Sequence, residues 1–272
     1  KEEDQLIFFL FALENWQGKT YNLSMEQYIA QMDTILSNLF KKYAALNLKP
    51  GVLLSGGIDS STITYFVSKY FPVYSILSMG THTTKDKSYV EKMGSHLHHQ
   101  FEWLEITKEA VKENLPRVKK LLKDNNIEDG LMQVSLAIGY FLIFEQAQKL
   151  GVTHVFTGQG PDILIGGYHK YKGIKFVNKE IKKDLHLLEI DKRRDGAMAK
   201  YFGIVLINPY LEKEFVDFAL RIPQEYKICK GIEKYILRMF AKEKGLPEMI
   251  VERPKKAYQY STGLQNMLAK IY

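Results

Sequence analysis

Residues 51–61 have the sequence Gly-Val-Leu-Leu-Ser-Gly-Gly-Ile-Asp-Ser-Ser, and this stretch decides how the chain folds around its functional site. The apolar run 52–54 predicts a buried parallel strand. A turn of small residues follows at 55–57, and apolar side chains then recur at helical spacing up to Tyr70. The stretch therefore predicts a strand, a glycine-rich turn and the N-terminus of a helix.

This arrangement has the chemistry of an anion site. Glycines let backbone N–H groups approach a phosphate, serine hydroxyls add donors, and the helix dipole favours negative charge. Asp59 is placed to hold Mg²⁺ bound to such phosphates. The common P-loop GxxxxGK[ST] is absent here, because Leu13 occupies its first glycine position before Gly18-Lys19-Thr20, which we interpret as a turn. We therefore predict a nucleotide site of another kind.

Apolar runs and helical patterns alternate along the middle of the chain. This alternation predicts an α/β fold, a parallel sheet with helices on both faces, followed by a mainly helical C-terminal part. We expect a single domain of residues 1–272, with a helical segment at 1–46, a nucleotide-binding core at 47–170 and a helical part at 171–272 that completes the site. Further predicted strands are 73–79, 101–106 and 152–157, and predicted helices are 25–43, 86–97, 108–123 and 131–150.

A second glycine turn, Gly158-Gln159-Gly160-Pro161-Asp162, follows the predicted strand 152–157. Ligands of open α/β sheets bind at the carboxyl ends of strands. We therefore expect this turn and the turn at 55–57 to face one site.

Composition narrows the class of protein. The 272 residues carry a net charge of +7, and basic runs such as 192–194 are interpreted as solvated helix faces, so a nucleic-acid partner is not expected. The single cysteine, Cys229, excludes a disulfide framework and a paired-cysteine metal or redox site. The absence of a long apolar segment and of a signal peptide predicts a cytoplasmic protein without a membrane partner. Because the chain begins at Lys1, the sequence leaves open whether another domain precedes it. It also leaves open whether the chain forms a homo-oligomer.

Several segments resemble a known family. The pattern SGGxDS at 55–60 resembles the pyrophosphate loop of the ATP-pyrophosphatase superfamily, whose members cleave ATP between the α and β phosphates. Residues 156–171 are similar to the SGEGSDExFGGYxxY segment of asparagine synthetases. Three weaker likenesses follow in the family's order, to ExRxPFLD at 204–211, EKxxLR at 233–238 and RxK…SxG at 253–263. The resemblance implies an adenine-nucleotide α-hydrolase-like fold.

The resemblance also implies roles for individual residues. Lys255 would stabilise charge at the α-phosphate, and Asp59 and Asp162 would hold Mg²⁺. Taken without the resemblance, Lys255 suits a solvated loop and Asp162 a helix N-cap. The remaining implied contacts are with pyrophosphate (Ser55, Gly56, Gly57, Ser60, Ser61), with adenine (Leu53, Leu54, Met79) and with the nucleotide generally (Thr157, Gly158).

The family pattern is broken at four positions, Gln159, Ile163, Val205 and Ile207. Gln159 occupies the place of a catalytic glutamate, and an amide cannot act as a general base. Glu128 and Asp129 are alternative bases, although both suit a solvated loop.

The implied function is an ATP-dependent amide ligase. Such an enzyme adenylates a carboxylate, with aspartate expected, and transfers ammonia, releasing AMP and pyrophosphate. No N-terminal cysteine nucleophile is present, so we expect free ammonia or a separate glutaminase subunit as the nitrogen source. The alternatives are a tRNA-modifying ATP pyrophosphatase and a nucleotide-binding module without ligase activity.

Overall fold

The computed structural model describes residues 23–271, so the predicted turn at 18–20 and the first 22 residues of the predicted segment 1–46 lie outside the described residues. Five parallel strands form the central sheet in the order β3-β2-β1-β4-β5. Their bounds are β1 Pro50–Leu53, β2 Ser75–Gly80, β3 Phe101–Glu105, β4 His154–Phe156 and β5 Val205–Ile207. A small antiparallel hairpin joins β6 Ile228–Cys229 to β7 Ile232–Glu233.

Helices account for most of the remaining described residues. In chain order they are α1 Met25–Ala44, α2 Ile58–Tyr70, α3 Asp86–His96, α4 Lys108–Asp124, α5 Leu131–Lys149, α6 Pro161–Leu164, α7 Val177–Tyr201, α8 Lys213–Arg221, α9 Gln224–Lys227, α10 Tyr235–Glu243, α11 Glu248–Val251, α12 Tyr258–Ser261 and α13 Leu264–Leu268. Two 3₁₀ turns lie at His169–Tyr171 and Pro209–Leu211.

The sheet separates two hydrophobic cores. Because side chains alternate along a strand, Phe156 of β4 faces a core shared with α1 and α2, whereas its neighbour Val155 faces a second core shared with α4 and α5. Helices therefore cover both faces of the parallel sheet. The predicted fold class, including the mainly helical part after residue 170, is confirmed.

The start of α1 agrees with the sequence pattern. The Ser24 hydroxyl accepts a hydrogen bond from the Gln27 N–H, and the Gln27 side chain accepts one from the Ser24 N–H, which forms a capping box. Inside the protein, Phe40 of α1 stacks on Phe66 and Phe156 with ring centroids 5.2 and 5.3 Å apart. The apolar stripe of this helix thus packs into the first core, as its spacing predicts.

Two strands begin later than predicted. Val73 follows Pro72 and is 79% exposed, so pairing in β2 starts only at Ser75. The Val152 N–H bonds to the Ala147 carbonyl at the end of α5 and is not part of the β4 ladder. Exposure of Val73 and the turn at the end of α5 therefore delay the start of these strands.

The order of the strands places the site. β1 pairs with β2 on one side and with β4 on the other, so the chain leaves β1 and β4 at adjacent carboxyl ends. This is the position at which open α/β sheets bind ligands. Among residues 23–271, no helix is long and apolar enough to cross a membrane.

Candidate active site

The turn between β1 and α2 is shaped by Gly56 and held by Ser60. Gly56 has φ +71°, and a Cβ added there would lie 2.4 Å from the Cβ of Tyr89. The Ser60 hydroxyl accepts the Ser55 N–H at 3.1 Å and lies 3.0 Å from the Ser55 hydroxyl. No side chain caps α2, which starts after Gly57, so its first backbone N–H groups remain available to an anion.

The second glycine turn packs directly on the first turn of α2. A Cβ added to Gly158 would lie 2.6 Å from the backbone nitrogen of Ser60 and 2.8 Å from the carbonyl carbon of Asp59. The Thr157 hydroxyl is fixed by a hydrogen bond to Asn208. The two turns therefore form one surface, as expected from their positions after β1 and β4.

One cavity at the carboxyl ends of β1, β2 and β4 is lined by all the predicted site residues except two. The exceptions are Gly56, which lies in the glycine turn, and Ser61, whose fully buried hydroxyl has no hydrogen-bond partner among the described residues. Leu53, Leu54 and Met79, the expected adenine contacts, lie in the wall together with Tyr258, which donates a hydrogen bond of 3.5 Å to the Met79 sulfur.

Two lysines and two aspartates form the charged centre of this cavity. Lys234 Nζ contacts Asp59 and lies 2.5 Å from Oδ1 of Asp162, while Lys255 pairs with the other oxygen of Asp162. The Lys234 side chain is 2% exposed. The predicted Mg²⁺ ligands and the predicted catalytic lysine are thus brought into contact, and Lys234 joins them.

The charges of this centre depend on each other. Burial raises the pKa of Asp59, with a further contribution from the charge of Asp162. Burial also opposes ionisation of Asp162, but Lys234 and Lys255 outweigh it and hold the pKa of this carboxyl below its usual range. Burial disfavours the charge of Lys234, yet the two aspartates raise its pKa above the ordinary value. Asp162 is therefore the anionic partner of both lysines.

Lys234 was not assigned a role from the sequence. It lies at the N-terminus of α10 with φ +55°, in the left-handed region that a lysine seldom adopts. Such backbone strain clusters at functional sites. The only sequence signal was its place in the EKxxLR-like segment.

Arg253 was also missed. Its guanidinium donates a hydrogen bond of 2.8 Å to the Ser55 carbonyl, pairs with Asp86 and lies 4.0 Å from the centre of the Tyr89 ring. Arg238 in turn donates to the Arg253 carbonyl at 3.0 Å. These arginines fix the C-terminal segment, which carries Lys255, to the glycine turn.

Gln159 has a carboxylate partner outside the cavity wall. Its Nε2 donates a hydrogen bond of 2.8 Å to Asp191 of α7. Arg194 bridges Asp191 at 2.6 Å and Asp195 at 2.7 Å, and burial raises the pKa of Asp195 to about 7. The interpretation of 192–194 as a solvated face is wrong for Arg194, which is 2% exposed, because these two carboxylates make its burial tolerable.

The structural alternatives for two predicted site residues are wrong. Gly160, not Asp162, occupies the N-cap of α6, so the Asp162 carboxylate is free to bind the lysines. Lys255 is half-buried and ion-paired and does not lie in a solvated loop. Glu128 and Asp129 are exposed and do not line the cavity, in agreement with their interpretation as solvated residues.

The other departures from the family pattern lie outside the cavity wall. Ile163 and Ile207 belong to the first hydrophobic core, and Val205 is 52% exposed on the edge strand β5. Of the four altered positions, only Gln159 lines the cavity.

The family model described as Asparagine synthase matches this chain over residues 44–194 and 175–271, which together span most of its length. The chain belongs to the asparagine synthase family. The predicted family membership is therefore confirmed, and the two glycine turns, the Lys234 segment and the Lys255 segment all lie inside the matched region.

Relatives extend over the whole chain. "Putative asparagine synthetase (glutamine-hydrolyzing) 1" of Methanocaldococcus jannaschii is 30% identical over 320 aligned positions, covering 100% of this chain and 58% of that protein. Asparagine synthetase B (glutamine-hydrolyzing) of Escherichia coli is 27% identical, covering 84% of this chain and 44% of its own length. The chain thus spans about half the length of these relatives. The solved NMN synthetase of Francisella tularensis aligns at 13% identity and a TM-score of 0.44, over 92% of this chain and 87% of that one.

The charged centre fits a divalent cation bound with phosphates. Oδ1 of Asp59 is buried and has no hydrogen-bond partner among the described residues. Within residues 23–271 no group of three or more histidine, cysteine or acidic side chains forms a metal cage. Mg²⁺ commonly takes one or two carboxylates together with substrate phosphates, so Asp59 and Asp162 suit it.

Proposed function

We propose that this chain is an ATP-dependent ligase that adenylates a carboxylate and converts it to an amide, with AMP and pyrophosphate as the other products. The observation that carries the proposal is the single cavity in which two packed glycine turns meet the centre formed by Asp59, Asp162, Lys234 and Lys255. Membership of the asparagine synthase family and the names of the relatives support the same chemistry.

In the adenylation step, the turn at 55–57 and the N-terminus of α2 hold the β- and γ-phosphates through backbone N–H groups. The substrate carboxylate attacks the α-phosphorus, an O–P bond forms, and pyrophosphate leaves with the electron pair of the broken bond. Lys255 stabilises the charge that develops there. Asp59 and Asp162 would hold Mg²⁺, which would supply positive charge to the triphosphate.

In the second step, ammonia attacks the acyl carbon of the adenylate. A C–N bond forms, the bond from the acyl carbon to the phosphate oxygen breaks, and AMP leaves. We propose aspartate as the carboxylate, since the relatives are named as asparagine synthetases. Free ammonium or a glutaminase partner would supply the nitrogen.

Measuring AMP and pyrophosphate formed from ATP, Mg²⁺ and aspartate, with and without ammonium, tests the proposal. We expect both products together with asparagine when ammonium is present. If neither aspartate nor other amino acid carboxylates yield AMP, the proposal is wrong.

Gln159 favours a second candidate, a nucleotide-binding module without ligase activity, because an amide stands where the reaction needs a base. That candidate predicts ATP binding by calorimetry without AMP formation under any of these conditions. The alternative of a tRNA-modifying enzyme rests on the positive net charge of the chain. The burial of Arg194 weakens that argument, because one of these positive charges is not at the surface.

A further inference from the structure

The amide-forming step needs a proton acceptor. Ammonia that attacks an acyl carbon carries an excess proton, which must leave for a neutral amide to form. Gln159 lines the cavity but cannot accept this proton, because its side chain is an amide. The base must therefore be another group within reach of the cavity.

The carboxylates of the cavity wall are already occupied. Among the described residues, the wall contains only Asp59 and Asp162, and both contact Lys234. Asp86, which binds the cavity residue Arg253, is 3% exposed and held in an ion pair. Asp59 and Asp162 are also the proposed Mg²⁺ ligands, so their charge is committed to the cation and the phosphates, and Asp86 is too deeply buried to receive a proton from an amine.

Asp191 does not line the cavity itself, but it is hydrogen-bonded to Gln159, which does. One oxygen pairs with Arg194, and the other accepts the hydrogen bond from Gln159. Its side chain is 19% exposed, and each carboxylate oxygen can accept more than one hydrogen bond.

The hydrogen bond to Asp191 also orients Gln159. A carboxylate only accepts, so Nε2 of Gln159 points to Asp191 and Oε1 is turned away from it. That oxygen is an acceptor for an N–H group. The pair thus offers an incoming amine one neutral acceptor and one anionic acceptor side by side.

We propose that Asp191 is the general base of amide formation and that Gln159 holds the amine beside it. This inference rests on the proposed ligase function. As the C–N bond forms and AMP leaves, the excess proton of the nitrogen moves to the Asp191 carboxylate. The carboxylate that the reaction requires thus belongs to Asp191, the hydrogen-bond partner of residue 159, and not to residue 159 itself.

Moving the charge tests the inference. D191N, Q159E and the double variant Q159E/D191N are compared with wild type in two assays, ATP–pyrophosphate exchange with aspartate and ammonium-dependent asparagine formation. We expect D191N to keep exchange within about threefold and to lose about 100-fold or more in amide formation, the usual contribution of a general base. We expect the double variant, with its carboxylate at 159, to form amide at least about tenfold faster than D191N.

Hydroxylamine provides the control nucleophile. It is much less basic than ammonia, so its adduct gives up the excess proton to water without a protein base, and hydroxamate formation by D191N should stay close to wild type. Thermal unfolding of each variant shows whether a loss of amide formation is caused by a loss of folded protein.

The outcomes are distinct. Wild-type rates of ammonium-dependent amide formation in D191N would overturn the role of Asp191. Equal losses of exchange, hydroxamate and amide in D191N, without rescue in the double variant, would make Asp191 purely structural and would also overturn it. A wild-type protein without exchange overturns the proposed function itself.

Discussion

Nζ of Lys234 lies 2.5 Å from Oδ1 of Asp162, and the same ammonium group also contacts Asp59. A buried lysine therefore stands between the two carboxylates that suit a phosphate-bound cation. Removing one partner of a buried ion pair leaves charges without compensation. The fold and the proposed cation site consequently depend on the same side chain.

Replacing this lysine by methionine should expose that dependence. We expect K234M to lose about 3 kcal/mol of unfolding free energy, because two partly buried carboxylates lose the ammonium group that they share. Mg²⁺ should then raise the melting temperature of K234M by about 2 °C or more beyond its effect on wild type, equivalent to about 1 kcal/mol. Thermal unfolding with and without Mg²⁺ measures both effects.

The control is the double variant D162N/K234M, which has one carboxylate fewer. Its melting temperature should respond to Mg²⁺ no more than that of wild type. Equal responses of K234M and D162N/K234M would show that the carboxylates do not bind the cation.

The contact between Gly158 and Ser60 predicts the effect of adding one methyl group. In G158A the new Cβ would lie 2.6 Å from a backbone nitrogen that cannot move without shifting the first turn of α2. We expect ATP to bind at least about tenfold more weakly, a change of about 1.4 kcal/mol. Isothermal titration calorimetry with ATP and Mg²⁺ measures the affinity.

Gly196 offers a matched control. It lies within α7, and a Cβ added there would have no neighbouring atom within 4 Å outside its own helix backbone. We expect G196A to bind ATP as wild type does and to gain up to about 1 kcal/mol in stability, since alanine favours a helix. Unchanged ATP affinity in G158A would mean that the two turns do not act as one phosphate surface.

Lys255 separates binding of the nucleotide from chemistry. We expect K255M to lower the rate of ATP–pyrophosphate exchange by about 100-fold or more, because charge stabilisation in a transition state has this magnitude. Its affinity for ATP should change by less than about tenfold, because backbone N–H groups hold the other phosphates.

K120M is the control for the loss of a lysine charge, since Lys120 forms an exposed ion pair with Asp124. Its exchange rate should equal that of wild type. If ATP–pyrophosphate exchange by K255M proceeds at the wild-type rate, Lys255 has no catalytic role in adenylation.

Lys227 predicts a dependence of stability on pH. It is fully buried, its ammonium group has no hydrogen-bond partner among the described residues, and burial lowers its pKa to about 7. The unfolded chain binds more protons at this lysine than the native protein between about pH 7 and 10.5, so native stability rises with pH across that range.

K227M should therefore be more stable than wild type at pH 7, by on the order of 4 kcal/mol. We expect this advantage to shrink by about 1.4 kcal/mol for each pH unit above 7. Urea unfolding of both proteins from pH 7 to pH 10 measures the difference, in which the titration of the other groups cancels. An advantage that does not vary with pH would indicate that Lys227 is not buried as a neutral amine.

Local patterns in the sequence were sufficient for the framework of the site. Each glycine turn follows an apolar strand, and parallel strands end at the same edge of a sheet, so the meeting of the two turns followed from the pattern alone. The Ser24 capping box was visible for the same reason, because its partners are three residues apart.

The missed residues reach the site from distant parts of the chain. Lys234 is separated from Asp59 by 175 positions, and Arg253 from Ser55 by 198. Gln159 and Asp191 are 32 positions apart, on different elements. Local spacing carries no information on such contacts, and the basic run ending at Arg194 looked solvated because its carboxylate partners become visible only in the fold.

The most direct test of the central claim follows an oxygen atom. When a carboxylate is adenylated and then converted to an amide, one of its oxygens leaves with AMP. Aspartate labelled with ¹⁸O in its carboxylates is incubated with the protein, ATP, Mg²⁺ and ammonium, and the AMP is analysed by mass spectrometry. We predict AMP that is heavier by one ¹⁸O atom, whereas unlabelled AMP, or ADP and phosphate in its place, would contradict carboxylate adenylation by this chain.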